Sequence, residues 1–187
     1  MGDEPRSILS ETEVAILAGG CFWCLEAVFD QVRGVESVES GYIGGHLDHH
    51  TYEAVCGGQT GHPEAVRIIF DGRTITYQEL LEMFFTIHDP TTLNRQGNDK
   101  GTQYCSAIFY YDPSQLRAAE SLINTLTDEQ RYDAPIVTQV AAAGPWYEVE
   151  PYHQEYVARN PYQGYCQFVV SPKVAKFRQR FAHRLKT

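Results

Sequence analysis

The order of apolar runs along the chain predicts an α+β fold: a two-layer α/β sandwich with a ferredoxin-like β-α-β-β-α-β core, long functional loops and a C-terminal helix. Three observations carry it. Short apolar runs at 14–17, 35–43, 64–71 and 106–111 have strand length and composition. Two stretches of helical period, 21–32 and 77–88, fall between the first and second and between the third and fourth of them. The connections 44–62 and 89–105 are longer than plain linkers need, and loops of that size tend to carry function.

Val14 to Leu17 reads as a buried strand ended by Gly19 and Gly20. From Cys21 the positions Cys21, Leu25, Val28 and Val32 share one helix face, with Phe29 beside them. Glu26, Asp30 and Arg33 fall opposite and are expected in solvent, and Gly34 closes the helix. Residues 35–43 and 64–71 are the second and third strands, and Tyr77 to His88 is a helix stopped by Asp89-Pro90. Ser106 to Tyr111 is the fourth strand, and Pro113 opens a helix running to Leu126. Ile136 to Val140 is a weaker strand, 151–159 a short helix and 167–170 a further strand. The terminal helix spans 172–185, and its basic residues from Lys173 to Lys186 are spaced like a solvated face. One domain is expected over 13–187, behind a polar, loosely ordered segment 1–12.

The 187 residues carry 15 Lys and Arg against 24 Asp and Glu, a formal net charge of −9. Such a balance lacks the footprint for nucleic acid or an anionic membrane. No apolar run approaches the roughly 20 residues of a membrane span, and the polar N-terminus is unlike a signal peptide. The expected compartment is the cytoplasm, where five cysteines are chemical or buried rather than structural disulfides.

The stretch Gly19-Gly20-Cys21-Phe22-Trp23-Cys24 puts two thiols and two rings at one strand-to-helix turn. Unsatisfied helix N–H groups and the positive end of the helix dipole favour a thiolate at Cys21. The glycines leave the backbone open to a substrate. Cys21 and Cys24 could equally be small buried hydrophobes. A zinc site needs four ligands, and one CxxC supplies two; Cys56, Cys105, Cys166, His46, His49 and His50 lack ligand spacing. A thioredoxin-type dithiol remains a further alternative.

The segment AGGCFWCLE closely resembles the signature of the A-type peptide-methionine sulfoxide reductases. Matching blocks follow in order: SGYIGG at 40–45, TYEAVCGGQTGHPEAV at 51–66, IHDPTTLNRQGNDKGTQY at 87–104 and YHQEYVARNPYQGYC at 152–166. The resemblance covers residues 14–170 and implies reduction of the S epimer of methionine sulfoxide, free or in proteins. It implies that Cys21 attacks the sulfur while Phe22 and Trp23 hold the methyl group. Glu64 is then the acid that protonates the oxygen, and an acid in an aromatic site tends to have a raised pKa. Tyr52, Asp99 and Tyr104 match the polar partners of the oxygen or the acid. Cys21 would become a sulfenic acid and condense to a disulfide, with Cys166 as the resolving thiol, Cys24 as its local rival, and direct reduction as a third route. Thioredoxin is the implied reductant, and no metal or organic cofactor is required.

Two departures qualify the resemblance. Cys24 stands where the family often has glycine, and the glycine-rich tail with a further cysteine is replaced by QFVVSPKVAKF. Cys56 and Cys105 match no family role and read as bystanders. A rival class is a module that binds oxidised methionine without turnover, yet binding alone needs neither the nucleophile Cys21 nor the acid Glu64.

Overall fold

A computed structural model describes residues 12–20, 22–43, 64–96, 99–100, 104–143, 146–148 and 171–186. The elements in chain order are β1 (Thr12–Gly19), α1 (Phe22–Phe29), β2 (Val35–Ile43), β3 (Glu64–Asp71), α2 (Tyr77–Ile87), β4 (Arg95–Gln96), β5 (Asp99–Lys100), β6 (Ser106–Tyr110), α3 (Pro113–Asp128), β7 (Gln139–Ala142), β8 (Trp146–Glu148) and α4 (Ser171–Arg180). A 3-10 turn, Ala182–Arg184, follows α4. Six strands form one mixed α/β sheet in the order β7-β6-β1-β3-β2-β8, antiparallel except where β7 runs parallel to β6. β4 and β5 make a separate two-stranded ribbon in which Gln96 faces Asp99 in register.

Alternation along the strands divides the core. Ala15, Leu17, Val66, Ile68 and Phe70 point to one face and pack with Leu25, Phe29, Leu80, Phe84, Leu122 and Phe177 from all four helices. Burying each such ring or branched chain stabilises by about 1.5–3 kcal/mol. Ile16, Ala18, Ile43, Ala65, Ala107 and Phe109 point to the other face, which is buried as well. The two-layer expectation accounted for only the first of these faces.

Local chemistry sets the helix ends. Thr76 and Glu79 form a capping box at α2, with Glu79 N–H donating to Thr76 Oγ1 and Thr76 N–H to Glu79 Oε1. Asp112 caps α3 ahead of Pro113. Gln115 then fastens that helix to the sheet, its amide donating to the Val14 carbonyl and accepting from Tyr111 N–H.

Four expectations shift. α1 stops at Phe29, because residues 30–34 turn and Val32 instead makes a β-bridge to Leu185. Glu26 is not in solvent: it is 4% exposed and accepts a hydrogen bond from Ser40. The weak strand lies at 139–142, where the β6 edge accepts it in parallel. The terminal helix ends at Arg180, and the chain then runs against the turn that follows α1: Arg33 N–H donates to Arg184 O and Lys186 N–H to Gln31 O. The expected elements at 151–159 and 167–170, and segment 1–11, lie outside the described residues.

Candidate active site

β1 ends at Gly19 and α1 begins at Phe22, so two residues make the connection. Gly20 has φ +94°, a left-handed conformation that glycine adopts without strain. Cys21 lies outside the described residues; in the sequence it is the link between Gly20 and Phe22. No acidic residue occupies the first turn of α1, so no carboxylate there competes with an anion at the helix start.

The glycine pair has a packing reason as well. A Cβ on Gly19 would stand 2.8 Å from Phe84 Cε1 and 3.1 Å from the His88 ring. A Cβ on Gly20 would stand 2.6 Å from Gln96 Cγ. Two buried polar side chains thus form the bed on which the turn rests. His88 is ordered by its partners. Its Nδ1 lies 2.6 Å from the Phe84 carbonyl, which can only accept, so Nδ1 carries the proton. Nε2 then accepts from Ser106 Oγ at 2.8 Å, and Ser106 Oγ lies 2.7 Å from Thr138 Oγ1. Gln96 uses both ends of its amide on one residue: Oε1 accepts from Asp89 N–H at 2.9 Å, and Nε2 donates to Asp89 O at 2.6 Å.

Glu64 opens β3 and is 1% exposed. It shares the helix-side parity of Val66 and Ile68, and its cross-strand partner is Tyr42 on β2, itself fully buried. The last registered pair of β1 and β3 is Leu17 with Val66. Two residues beyond on each strand stand Gly19 and Glu64. The sheet therefore brings the acid to the end of β1 that leads into Cys21, on the same face. Glu26 and Ser40 add a second buried carboxylate on α1, bonded across to β2 at 2.9 Å.

Trp23 is half-buried and packs against the main core, and Cys24 lies inside that core beside Leu25 and Val28. Tyr104 is half-buried. Cys105 faces the other side of the sheet, where burial pushes its thiol from 9.0 up to about 11. Tyr52 and Cys166 lie outside the described residues; Phe22 and Asp99 are placed by backbone alone, on α1 and β5. Reading the sequence singled out none of Gln96, His88, Glu26 and Ser40. The first two sit inside the IHDPTTLNRQGNDKGTQY block, and the glycine pair was the signal that something must pack close. Among the described residues no three His, Cys, Asp or Glu side chains gather as metal ligands. A groove of about 520 Å³ lined by Glu13, Arg67, Ile69, Tyr111 and Gln115 does not border the Gly20 turn.

Known proteins resemble this chain in sequence and in fold. The family model described as peptide methionine sulfoxide reductase matches residues 13–185. The peptide methionine sulfoxide reductase MsrA of Ralstonia nicotianae is 58% identical over 178 residues, 93% of each chain. Its counterpart in Chromobacterium violaceum is 57% identical, covering 93% of this chain and 99% of its own. The solved methionine sulfoxide reductase A of Corynebacterium diphtheriae superposes with a TM-score of 0.78 at 34% identity, covering 84% of this chain and 79% of that one. Mxr1 from Saccharomyces cerevisiae in reduced form superposes at 0.76 and 32%, covering 84% and 91%. With a family match across nearly its whole length and relatives more than half identical, the chain belongs to the peptide methionine sulfoxide reductase family, oxidoreductases that reduce methionine sulfoxide.

Proposed function

We propose that this enzyme reduces the S epimer of methionine sulfoxide, free or in proteins, with Cys21 as nucleophile and Glu64 as general acid. The observation that carries the reading is the burial of Glu64 at the end of the sheet where β1 runs into the Cys21 turn. The Cys21 thiolate attacks the electrophilic sulfur at the start of α1. Glu64 gives the sulfoxide oxygen its proton, the S–O bond breaks, and the released oxygen, as hydroxide or water, adds to the Cys21 sulfur as the bond between the two sulfurs breaks and the thioether leaves. In net terms one thiolate, one sulfoxide and one proton yield a sulfenic acid on Cys21 and a thioether; the sulfoxide is reduced as the cysteine is oxidised. Phe22 and Trp23 hold the methyl group, and Tyr52, Asp99 and Tyr104 hydrogen-bond the oxygen or orient the acid. Cys166 then forms a disulfide with Cys21, releasing water, and a thioredoxin-type dithiol reduces it. The placement of Cys24 in the main core supports Cys166 over Cys24 as the resolving thiol. The chemistry calls on thiols and a proton, without metal or organic cofactor.

The strand order β6-β1-β3-β2, with α1 and α2 as the crossovers, supports a ferredoxin-like core. A single catalytic domain belongs to this reading, with Thr12, expected in the loose N-terminal segment, instead opening β1 against Asp71; so does work in the cytoplasm. Among the described residues no helix is long and apolar enough to cross a membrane.

The decisive experiment compares S and R sulfoxide substrates with dithiothreitol as reductant, for the parent enzyme and for Glu64→Gln. Turnover of the S epimer alone is expected, with a rate loss of roughly 100- to 10,000-fold in the variant. Equal turnover of both epimers overturns the stereochemical assignment. A Glu64→Gln enzyme with parent rates across the pH range overturns the acid.

A further inference from the structure

Gln96 sits where the Gly20 turn, distant in sequence, meets the end of α2 and the β4–β5 ribbon. Its stem lies against the Cα of Gly20, so closely that a Cβ there would fall 2.6 Å from Cγ and 2.9 Å from Cβ of Gln96. Its amide grips both backbone groups of Asp89, at the residue where the chain leaves α2. Its backbone belongs to β4, in register with Asp99 on β5. The side chain is 5% exposed, and a buried amide satisfied at both ends is held in one orientation. We propose that Gln96 is a positioning residue for the reaction, setting the height and angle of the Gly20 turn, and so of Cys21, against the ribbon that carries Asp99. This rests on the assignment of Cys21 as nucleophile.

The geometry separates two contributions. The stem supports the turn by contact. The amide keeps the stem from swinging, through one accepted and one donated hydrogen bond to Asp89. Further support comes from Thr92 Oγ1, 3.4 Å from Nε2. Gln96→Met keeps a stem of similar length and removes both amide bonds. Gln96→Glu keeps the acceptor for Asp89 N–H. It loses the donor to Asp89 O while ionised and regains one, an O–H, when protonated. The charged groups that act on Asp89, the residue the amide grips, are His88 and Arg95.

The test is the first turnover, with enzyme in excess over an S-sulfoxide peptide and no reductant, so that disulfide regeneration plays no part. Gln96→Met is expected to slow that turnover by roughly 10- to 100-fold, the scale of a misplacement of about 1 Å, with KM and melting temperature close to the parent values. The rate of Gln96→Glu relative to the parent is expected to climb as the pH is lowered from about 8 to about 4, through the range of a carboxyl that burial raises above its ordinary value of about 4.3. A parent-like first turnover in Gln96→Met overturns the proposal. So does a Gln96→Glu deficit that is the same at every pH, which reduces the side chain to packing. Cys21→Ser run alongside separates the two readings. Inactive Cys21→Ser beside a normal Gln96→Met removes only the role of Gln96, whereas an active Cys21→Ser removes the nucleophile and this proposal with it.

Discussion

Ser40 on β2 donates its hydroxyl to the Glu26 carboxylate on α1 across 2.9 Å, and both residues are buried. The bond joins the helix that follows Cys21 to the strand that pairs with Glu64, so it braces the two halves of the site against each other. Ser40→Ala removes a donor from a buried carboxyl group, and leaving such a group short of a partner costs about 1–3 kcal/mol. A loss of that size is expected in urea unfolding. Glu26→Gln, whose amide oxygen still accepts from Ser40, is expected to lose less.

Gly34 turns the chain from α1 into β2 at φ +98°. An added Cβ would lie 2.8 Å from Ile75 Cγ2 and 3.0 Å from Thr74 Cβ. Gly34→Ala therefore meets both a left-handed backbone penalty of about 1–2 kcal/mol and a crowded neighbour. A clear fall in the urea midpoint is expected, with the first-turnover rate of the folded fraction unchanged.

Cys105 tests whether a thiol beside a quoted motif is chemically silent. Burial holds it neutral until about pH 11, against 9.0 for the ordinary thiol. Near pH 8 its reactive thiolate fraction is then about one in a thousand. Iodoacetamide on the native protein, read by mass spectrometry of the digest, is expected to leave Cys105 unmodified and to label it after denaturation. The sign for stability follows. The unfolded thiol ionises from 9.0 and the folded one only near 11, so its contribution is intact below the first value and fades as pH rises toward the second.

Asp112 accepts from Gln115 N–H at 2.9 Å at the start of α3. Asp112→Ala is expected to cost about 1 kcal/mol of stability by thermal or urea unfolding. Turnover should change little, because the cap acts on the first turn of α3, a helix that packs on α2, β6 and β7.

How much of this was legible depended on the range of the interaction that fixes each feature. β2 and β3 have the bounds expected of them, because their strand patterns end at strong punctuation: Gly34 and Gly44 for one, Pro63 and Gly72 for the other. α1 was read too long because Val32 continues the helical period, yet it is taken by a bridge to Leu185, more than 150 positions away. Glu26 was assigned to solvent from its charge. Periodicity could not know that Ser40 waits on the facing strand. β8 is three residues long, too short for any pattern to announce. At the site, the residues legible in advance were those with reactive groups in a motif. Gln96 and His88 act by shape, on glycines that carry no side chain, and only the folded backbone brings them together.

The pairing of residues 184–186 with the turn after α1 also has a consequence for the order of folding. Arg33 is held by Arg184, Gln31 by Lys186 and Val32 by Leu185, so the turn that follows the helix beside Cys21 is fastened by a segment more than 150 positions away. A contact across so long a loop forms only after the loop has been ordered by other contacts. The strands can therefore pair first, and the turn is locked afterwards.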